Sequence, residues 1–213
     1  MFRYDLINHL IQKYNFKSYL EIGVCNPDDC FNLVKCLNKN SVDPGLEYQQ
    51  NPVDYRMTSD EFFDKLDSNR LDLHPDTKWD LIFIDGLHIS TQVQKDIINS
   101  LNHLSWNGFI VLHDCNPPDI FMAREDYYIN GQQRPWNGTT WKAIYWLRTH
   151  RSDLRVCTLD TDWGLGIVTR GSSQIIPFDN LFYEYNQMSQ NRKRDLNLIN
   201  IQDLESWLSK TMI

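Results

Sequence analysis

Residues 79–88 read Trp79-Asp80-Leu81-Ile82-Phe83-Ile84-Asp85-Gly86-Leu87-His88. An unbroken apolar run, Leu81 to Ile84, leads directly into an acid, a glycine and then a histidine. Short continuous apolar runs are how strands buried on both faces read, as in a parallel sheet. A buried strand gains no stability by ending in Asp85, Gly86 and His88, so these residues mark a site at its carboxyl end. Tyr19 to Ile22 and Phe109 to Leu112 repeat the pattern, the latter running into His113-Asp114-Cys115-Asn116-Pro117-Pro118. Between the runs, Val93, Ile97, Leu101 and Leu104 recur at helical spacing, as do Ala143, Ile144 and Leu147 with Trp141 and Trp146. Strand–helix–strand order with short links implies parallel strands joined by right-handed crossovers. The expected fold is α/β: a Rossmann-like, doubly wound, mostly parallel sheet with an antiparallel last strand and a C-terminal helical tail.

In order, the patterns predict a helix over 4–14, a strand over 18–23, a helix over 28–37 and strands over 40–43 and 53–57. A helix over 59–67, a strand over 79–84, a helix over 90–103 and a strand over 108–113 follow. A Pro- and Gly-rich loop runs from Pro117 to Gly138, and its Arg124, Tyr127, Tyr128, Arg134 and Trp136 suit a lid over an acceptor. Helix 139–150 then leads to strands 154–159 and 163–169, separated by Asp160-Thr161-Asp162, a tight hairpin signal. The tail, 172–213, reads as two amphipathic helices. No linker divides the chain, so one domain is expected, with a core over 15–171 and the tail as its extension.

With 213 residues, 41% hydrophobic and 23% charged, the composition is that of a globular chain able to bury one core. A net charge of -7 disfavours a phosphate backbone as partner. There is no signal-peptide pattern near Leu6–Ile11 and no apolar run long enough for a bilayer, so neither export nor membrane insertion is expected. The five cysteines (Cys25, Cys30, Cys36, Cys115, Cys157) fit no zinc spacing, and reduced thiols in the cytoplasm are expected. A homo-oligomer is compatible with all of this.

In open α/β sheets ligands bind beyond the carboxyl ends of the strands. After the first strand comes Gly23, with Cys25 and Asn26 where a dinucleotide fingerprint would carry further glycines. Asp28 and Asp29, expected in the first turn of the next helix, suit its dipole but would repel a pyrophosphate. A zwitterionic amino acid carrying a sulfonium is tolerated far better. Asp43 ends the second strand twenty positions beyond Gly23, where it either accepts ribose hydroxyls or simply starts a turn before Pro44. In Thr58-Ser59-Asp60-Glu61, Ser59 is expected to cap the helix and Asp60 either supports that cap or reaches an adenine amino group. His113 and Asp114 either belong to the site with Asp85 and His88 or turn the chain toward Pro117.

Leu20-Glu21-Ile22-Gly23, Val42-Asp43-Pro44, Ser59-Asp60-Glu61-Phe62-Phe63, Phe83-Ile84-Asp85-Gly86-Leu87-His88 and Leu112-His113-Asp114-Cys115 together resemble the class I S-adenosylmethionine-dependent methyltransferases. More narrowly they resemble the small family 24 methyltransferase domains, and the likeness continues through Trp141-Lys142-Ala143-Ile144 and Asp162-Trp163-Gly164-Leu165-Gly166. The resemblance implies S-adenosyl-L-methionine as cofactor and a hydroxyl on a sugar, glycan precursor or other small molecule as methyl acceptor. With the strand-end reading, it makes Glu21, Gly23, Asp43, Asp60, Asp85 and Gly86 the cofactor set and His88, His113 and Asp114 the catalytic set. In related catechol-type enzymes aspartates at the ends of the fourth and fifth core strands hold a divalent cation. Asp85 and Asp114 match those positions and would suit magnesium, with Cys115 where a third ligand, an asparagine, is expected. Without a metal, His88 or His113 would deprotonate the acceptor.

Two other readings compete. A nucleotide-dependent oxidoreductase would use the same sheet, against the missing glycines and Asp28 and Asp29. A non-catalytic binding subunit would use Trp136, Trp141, Trp146 and Trp163 as contact anchors, against the retained cluster of acids and histidines.

Overall fold

A computed structural model describes residues 1–48, 50 and 52–210. The regular elements are α1 (Arg3–Tyr14), β1 (Ser18–Ile22), β2 (Asn38–Val42), α2 (Ser59–Asp67), β3 (Trp79–Ile84), α3 (Ser90–Asn102) and β4 (Leu104–Leu112). They continue with β5 (Tyr128–Ile129), β6 (Gln132–Gln133), α4 (Thr140–His150), β7 (Leu154–Leu159), β8 (Leu165–Arg170), α5 (Tyr185–Gln190), α6 (Arg192–Asp195), β9 (Leu198–Ile199) and α7 (Leu204–Ser209). Among the described residues, seven of the nine strands form one mostly parallel sheet with an antiparallel β7–β8 pair, the expected Rossmann-like class. The chain divides into two compact units. The first holds Phe2–Leu87 and Gln94–Val111, and the second holds Met1, His88–Val93 and the chain from Leu112 onward.

In the first unit the strands run β2-β1-β3-β4. Their apolar runs are buried as the sequence predicts: Leu81, Ile82 and Phe83 have no exposed surface, and Tyr19 and Leu20 none either. Helix α1 buries Leu6, Ile7, Leu10 and Ile11, spaced one turn apart. It ends where Asn15 turns left-handed (φ 55°) and its N–H still reaches the Ile11 carbonyl. Helix α2 is capped by Thr58, whose side chain accepts from the Glu61 amide at 3.2 Å, and not by Ser59.

Two expected elements fail in this unit. The helix over 28–37 is only a 3-10 turn at Phe31–Leu33. Cys25 is left-handed (φ 47°), and side chains satisfy the backbone in place of a helical ladder. Asn8 donates to the Leu33 carbonyl and accepts from the Lys35 amide, while Lys39 Nζ donates to the Phe31 and Val34 carbonyls. The strand over 53–57 shrinks to one bridge, Val42 with Tyr55, because the Asp54 carboxylate takes the Ser41 amide that a ladder would use.

The second unit is built on β8-β7-β9. Helix α4 buries Trp141, Ala143, Ile144, Tyr145 and Leu147. The hairpin turn is longer than the three residues expected: Asp162 and Trp163 are left-handed (φ 44° and 64°) before Gly164 (φ 90°). The tail differs from two helices. It holds α5, α6 and α7, and β9 pairs in parallel with β7 through Thr158↔Leu198 and Leu159↔Ile199. Its last three expected residues, 211–213, lie outside the described ones. No helix among the described residues is long and apolar enough to cross a membrane.

Candidate active site

The parallel register of the first unit sets its strand ends level. Ile22 pairs with Val42 on one side and Ile84 on the other, so Gly23, Asp43 and Asp85 leave the sheet side by side. Gly23 (φ 84°) donates to the Val42 carbonyl, and Asp85 donates to the Ile22 carbonyl at 2.8 Å. A Cβ on Gly23 would collide with the Gly86 backbone and the Asp85 carbonyl carbon, so only glycine closes this turn. A Cβ on Gly86 would meet only the backbone of Gly23 and Ile22 and the Ile22 side chain, at 3.8–3.9 Å. Asp43 accepts from the Cys25 amide at 2.9 Å and the Gly45 amide at 2.6 Å. It therefore shapes the Gly23 turn from the neighbouring strand, while each oxygen keeps further acceptor capacity.

Behind this edge Glu21 is buried and accepts a hydrogen bond from the Tyr19 hydroxyl. Burial pushes its carboxyl up to about 8, with the Asp85 charge adding to the rise and the Tyr19 and Cys30 hydrogen bonds and Arg3 opposing it. Asp85 is ion-paired with Arg3 at 2.6 Å. Arg3 was missed by sequence reasoning: it stands 82 residues away at the start of α1, and no local pattern announces it. Asp60, in the first turn of α2, pairs with Lys95 of α3 at 3.0 Å. Asp28 and Asp29 are exposed in a turn and not in a helix, so the dipole argument lapses while their negative charge remains.

The second unit gathers the histidines. Asp114, left-handed at φ 60°, has Oδ2 2.9 Å from His113 Nδ1 and 3.2 Å from His88 Nδ1, and its Oδ1 accepts from the Asn137 amide. His113 Nε2 faces Asp162 Oδ1 at 3.6 Å. His113 is 4% exposed and His88 19% by side chain. A left-handed non-glycine residue between two histidines is backbone strain kept at a polar site.

His88 is fixed from the loop side. The Thr139 amide donates to its carbonyl at 2.7 Å, and Gly138 (φ 63°) lies where any Cβ would strike it. Trp136 stacks on its ring at 5.1 Å, and Tyr127 stacks on Trp136 at 5.0 Å. Arg124 donates to the carbonyls of Phe121, Tyr127, Arg134 and Pro135 and is the internal tie of this loop, not a free contact for a ligand. Asn137 and Asp162 were also missed. The first looked like loop and the second like an ordinary hairpin residue. Cys115 is buried with its Sγ 3.4 Å from the His113 carbonyl, and none of the five cysteines forms a disulfide.

Comparison with known proteins agrees with this architecture. Residues 27–115 match a family model described as a methyltransferase domain. No curated protein matches the chain. Among solved structures, it is similar to a protein from Staphylococcus aureus described as a caffeoyl-CoA O-methyltransferase, at 18% identity and TM-score 0.53, covering 79% of this chain and 82% of that one. It is also similar to the S-adenosylhomocysteine-bound methyltransferase PaMTH1 of Podospora anserina, at 16% identity and TM-score 0.52, covering 80% and 78%. The third likeness is to S-adenosylmethionine-bound CalS10 of Micromonospora echinaspora, an amino pentose methyltransferase of calicheamicin biosynthesis, at 11% identity and TM-score 0.50, covering 78% and 89%. The fold is thus the one these solved methyltransferases share, and the likeness to the methyltransferase-domain family model spans residues 27–115.

Proposed function

We propose that this chain is an S-adenosylmethionine-dependent O-methyltransferase acting on a hydroxyl of a sugar or other small molecule. The observation that carries the reading is the His88–Asp114–His113 cluster, in which one carboxylate oxygen lies 2.9 Å from the His113 ring and 3.2 Å from the His88 ring. Support for the cofactor comes from the Gly23 turn, which admits no side chain, and from the solved structures of the same fold that hold S-adenosylmethionine or its demethylated product. The cofactor, when bound, supplies an electrophilic methyl group on a sulfonium. Glu21, Gly23, Asp43, Asp60, Asp85 and Gly86 are assigned to it. Exposed Asp28 and Asp29 disfavour the pyrophosphate of the competing oxidoreductase.

The chain's own part is to orient the acceptor oxygen and take its proton. His88 is the more exposed imidazole and is assigned as base, with Asp114 holding its ring and stabilising the imidazolium, as in other carboxylate–histidine pairs. His113, nearly closed off, fixes Asp114 from the other side.

Magnesium fits this donor set poorly. Asp85 is engaged by Arg3, the Asp114 oxygens by two histidines and Asn137, and Cys115 offers a soft sulfur directed at backbone. The test is calorimetric titration with S-adenosylhomocysteine and NAD, then turnover after EDTA treatment in wild type, His88→Ala and His113→Ala. Binding of S-adenosylhomocysteine alone, EDTA-resistant turnover and a ~10²–10⁴-fold loss in His88→Ala are expected. Tight NAD binding without S-adenosylhomocysteine binding would sink the cofactor reading. Activity abolished by EDTA and restored by magnesium would return the metal to the site.

A further inference from the structure

The second unit has an open cleft of about 500 Å³ that the catalytic cluster does not use, a volume within the range of small-ligand sites. It is lined by Asn116, Asp160, Asp162, Trp163, Arg192 and Leu198, among others. Its polar groups are held in place. Arg192 donates to the Asn116 side-chain oxygen and, at 2.7 Å, to the Tyr185 hydroxyl. The Asn116 amide in turn donates to Asp160 Oδ1 at 3.0 Å. The turn that carries Trp163 is pinned to the strand-end loop by two backbone bonds, Cys115 N–H to the Gly164 carbonyl and Asn116 N–H to the Trp163 carbonyl, each 2.9 Å. Its two left-handed residues face opposite tasks. Asp162 turns inward, its side chain 7% exposed, against His113 Nε2, and Trp163 stands 49% exposed at the rim.

Those groups suit one class of ligand. An exposed indole face packs against the C–H face of a sugar ring, and fixed carboxylate, amide and guanidinium groups pair with vicinal hydroxyls. A planar phenol would use the indole and leave the polar groups unserved. Two carboxylates against one guanidinium make the lining net negative, which repels phosphate and carboxylate ligands.

The geometry points to a subsite for a neutral or amino sugar ring, with Trp163 as its platform and Asp160, Asn116 and Arg192 as its hydroxyl partners. This rests on the methyltransferase reading and extends it. His113 presents Nδ1 to Asp114, on the His88 side, and Nε2 to Asp162, on the cleft side. The ring held here is thus not the ring that meets His88 but its neighbour, and the acceptor is a glycan of at least two rings.

The test uses the full chain and a panel of probes read by saturation-transfer NMR and calorimetry: methyl α-D-glucopyranoside, methyl α-L-rhamnopyranoside, methyl glucosaminide, methyl glucuronide, glucose 6-phosphate and catechol. Neutral or amino glycosides should bind, and the two anionic sugars should not. Trp163→Asn, which keeps the left-handed backbone comfortable, should weaken glycoside binding by roughly tenfold. Asp160→Asn should admit methyl glucuronide. S-adenosylhomocysteine is titrated into every variant. Retained cofactor binding with no glycoside binding, with anionic sugars preferred, with catechol alone bound, or with indifference to Trp163→Asn overturns the subsite and leaves the methyltransferase reading standing. Loss of S-adenosylhomocysteine binding in wild type strikes at that reading itself.

Discussion

Replacing Glu21 by glutamine tests how the buried edge of β1 handles charge. Its carboxyl sits at 1% exposure and is pushed by burial from the ordinary 4.5 to about 8. The folded protein therefore holds a proton that the unfolded chain releases, and stability falls as pH rises from about 4.5 until it levels near 8. At roughly 1.4 kcal/mol per pH unit across that window, the wild type forgoes ~3 kcal/mol at pH 7 and ~5 at pH 8. Glutamine keeps an oxygen for the Tyr19 hydroxyl and cannot ionise. Urea unfolding of both proteins should give near-equal stabilities at pH 5 and an advantage for Glu21→Gln of ~3–5 kcal/mol at pH 8. Thermal melts should separate by several degrees in the same direction. A difference that stays constant within ~1 kcal/mol from pH 5 to 8 refutes the reasoning, because Glu21 would then ionise as an exposed glutamate does.

Gly23→Ala should cost more than ~2 kcal/mol of stability and abolish S-adenosylhomocysteine binding, whereas Gly86→Ala should fold like wild type; paired melts and titrations read both. Arg3→Ala removes the ion pair to a partly buried Asp85 and should cost ~1–3 kcal/mol. It should also move the pH window of Glu21 to higher pH, since Arg3 opposes the rise, and repeating the urea series in the variant checks this. Arg124→Met removes the donor to four loop carbonyls, so limited proteolysis within 117–138 should quicken by about tenfold or more while the melting of the core shifts little.

What could be read from sequence was whatever is local. The apolar runs of β1, β3 and the end of β4 announce buried strands, and the register of those strands then places Gly23, Asp43 and Asp85 together without further information. The His88–Asp114–His113 grouping was legible for the same reason, as residues just past strand ends. The failures came from distant side chains. Nothing near residues 28–37 signals that Asn8 and Lys39 will claim their backbone groups, and nothing near 53–57 signals that Asp54 will take the Ser41 amide. Arg3 and Asp162 were invisible because their partners are 82 and 49 residues away. Trp163 also adopts a left-handed conformation that its residue type disfavours, so turn statistics point elsewhere.

The two-residue strand β9 has a meaning beyond its size. It lies on the outer side of β7, where the Thr158 and Asp160 amides donate to the Asn197 and Ile199 carbonyls and the Asn197 side chain donates to the Val156 carbonyl. An apolar strand with those groups bare would be a template for the same strand in another molecule. Asn197 to Ile199 therefore act as a gatekeeper against self-templating. A chain clipped ahead of Asn197 should precipitate with rising concentration, which sedimentation against wild type would show.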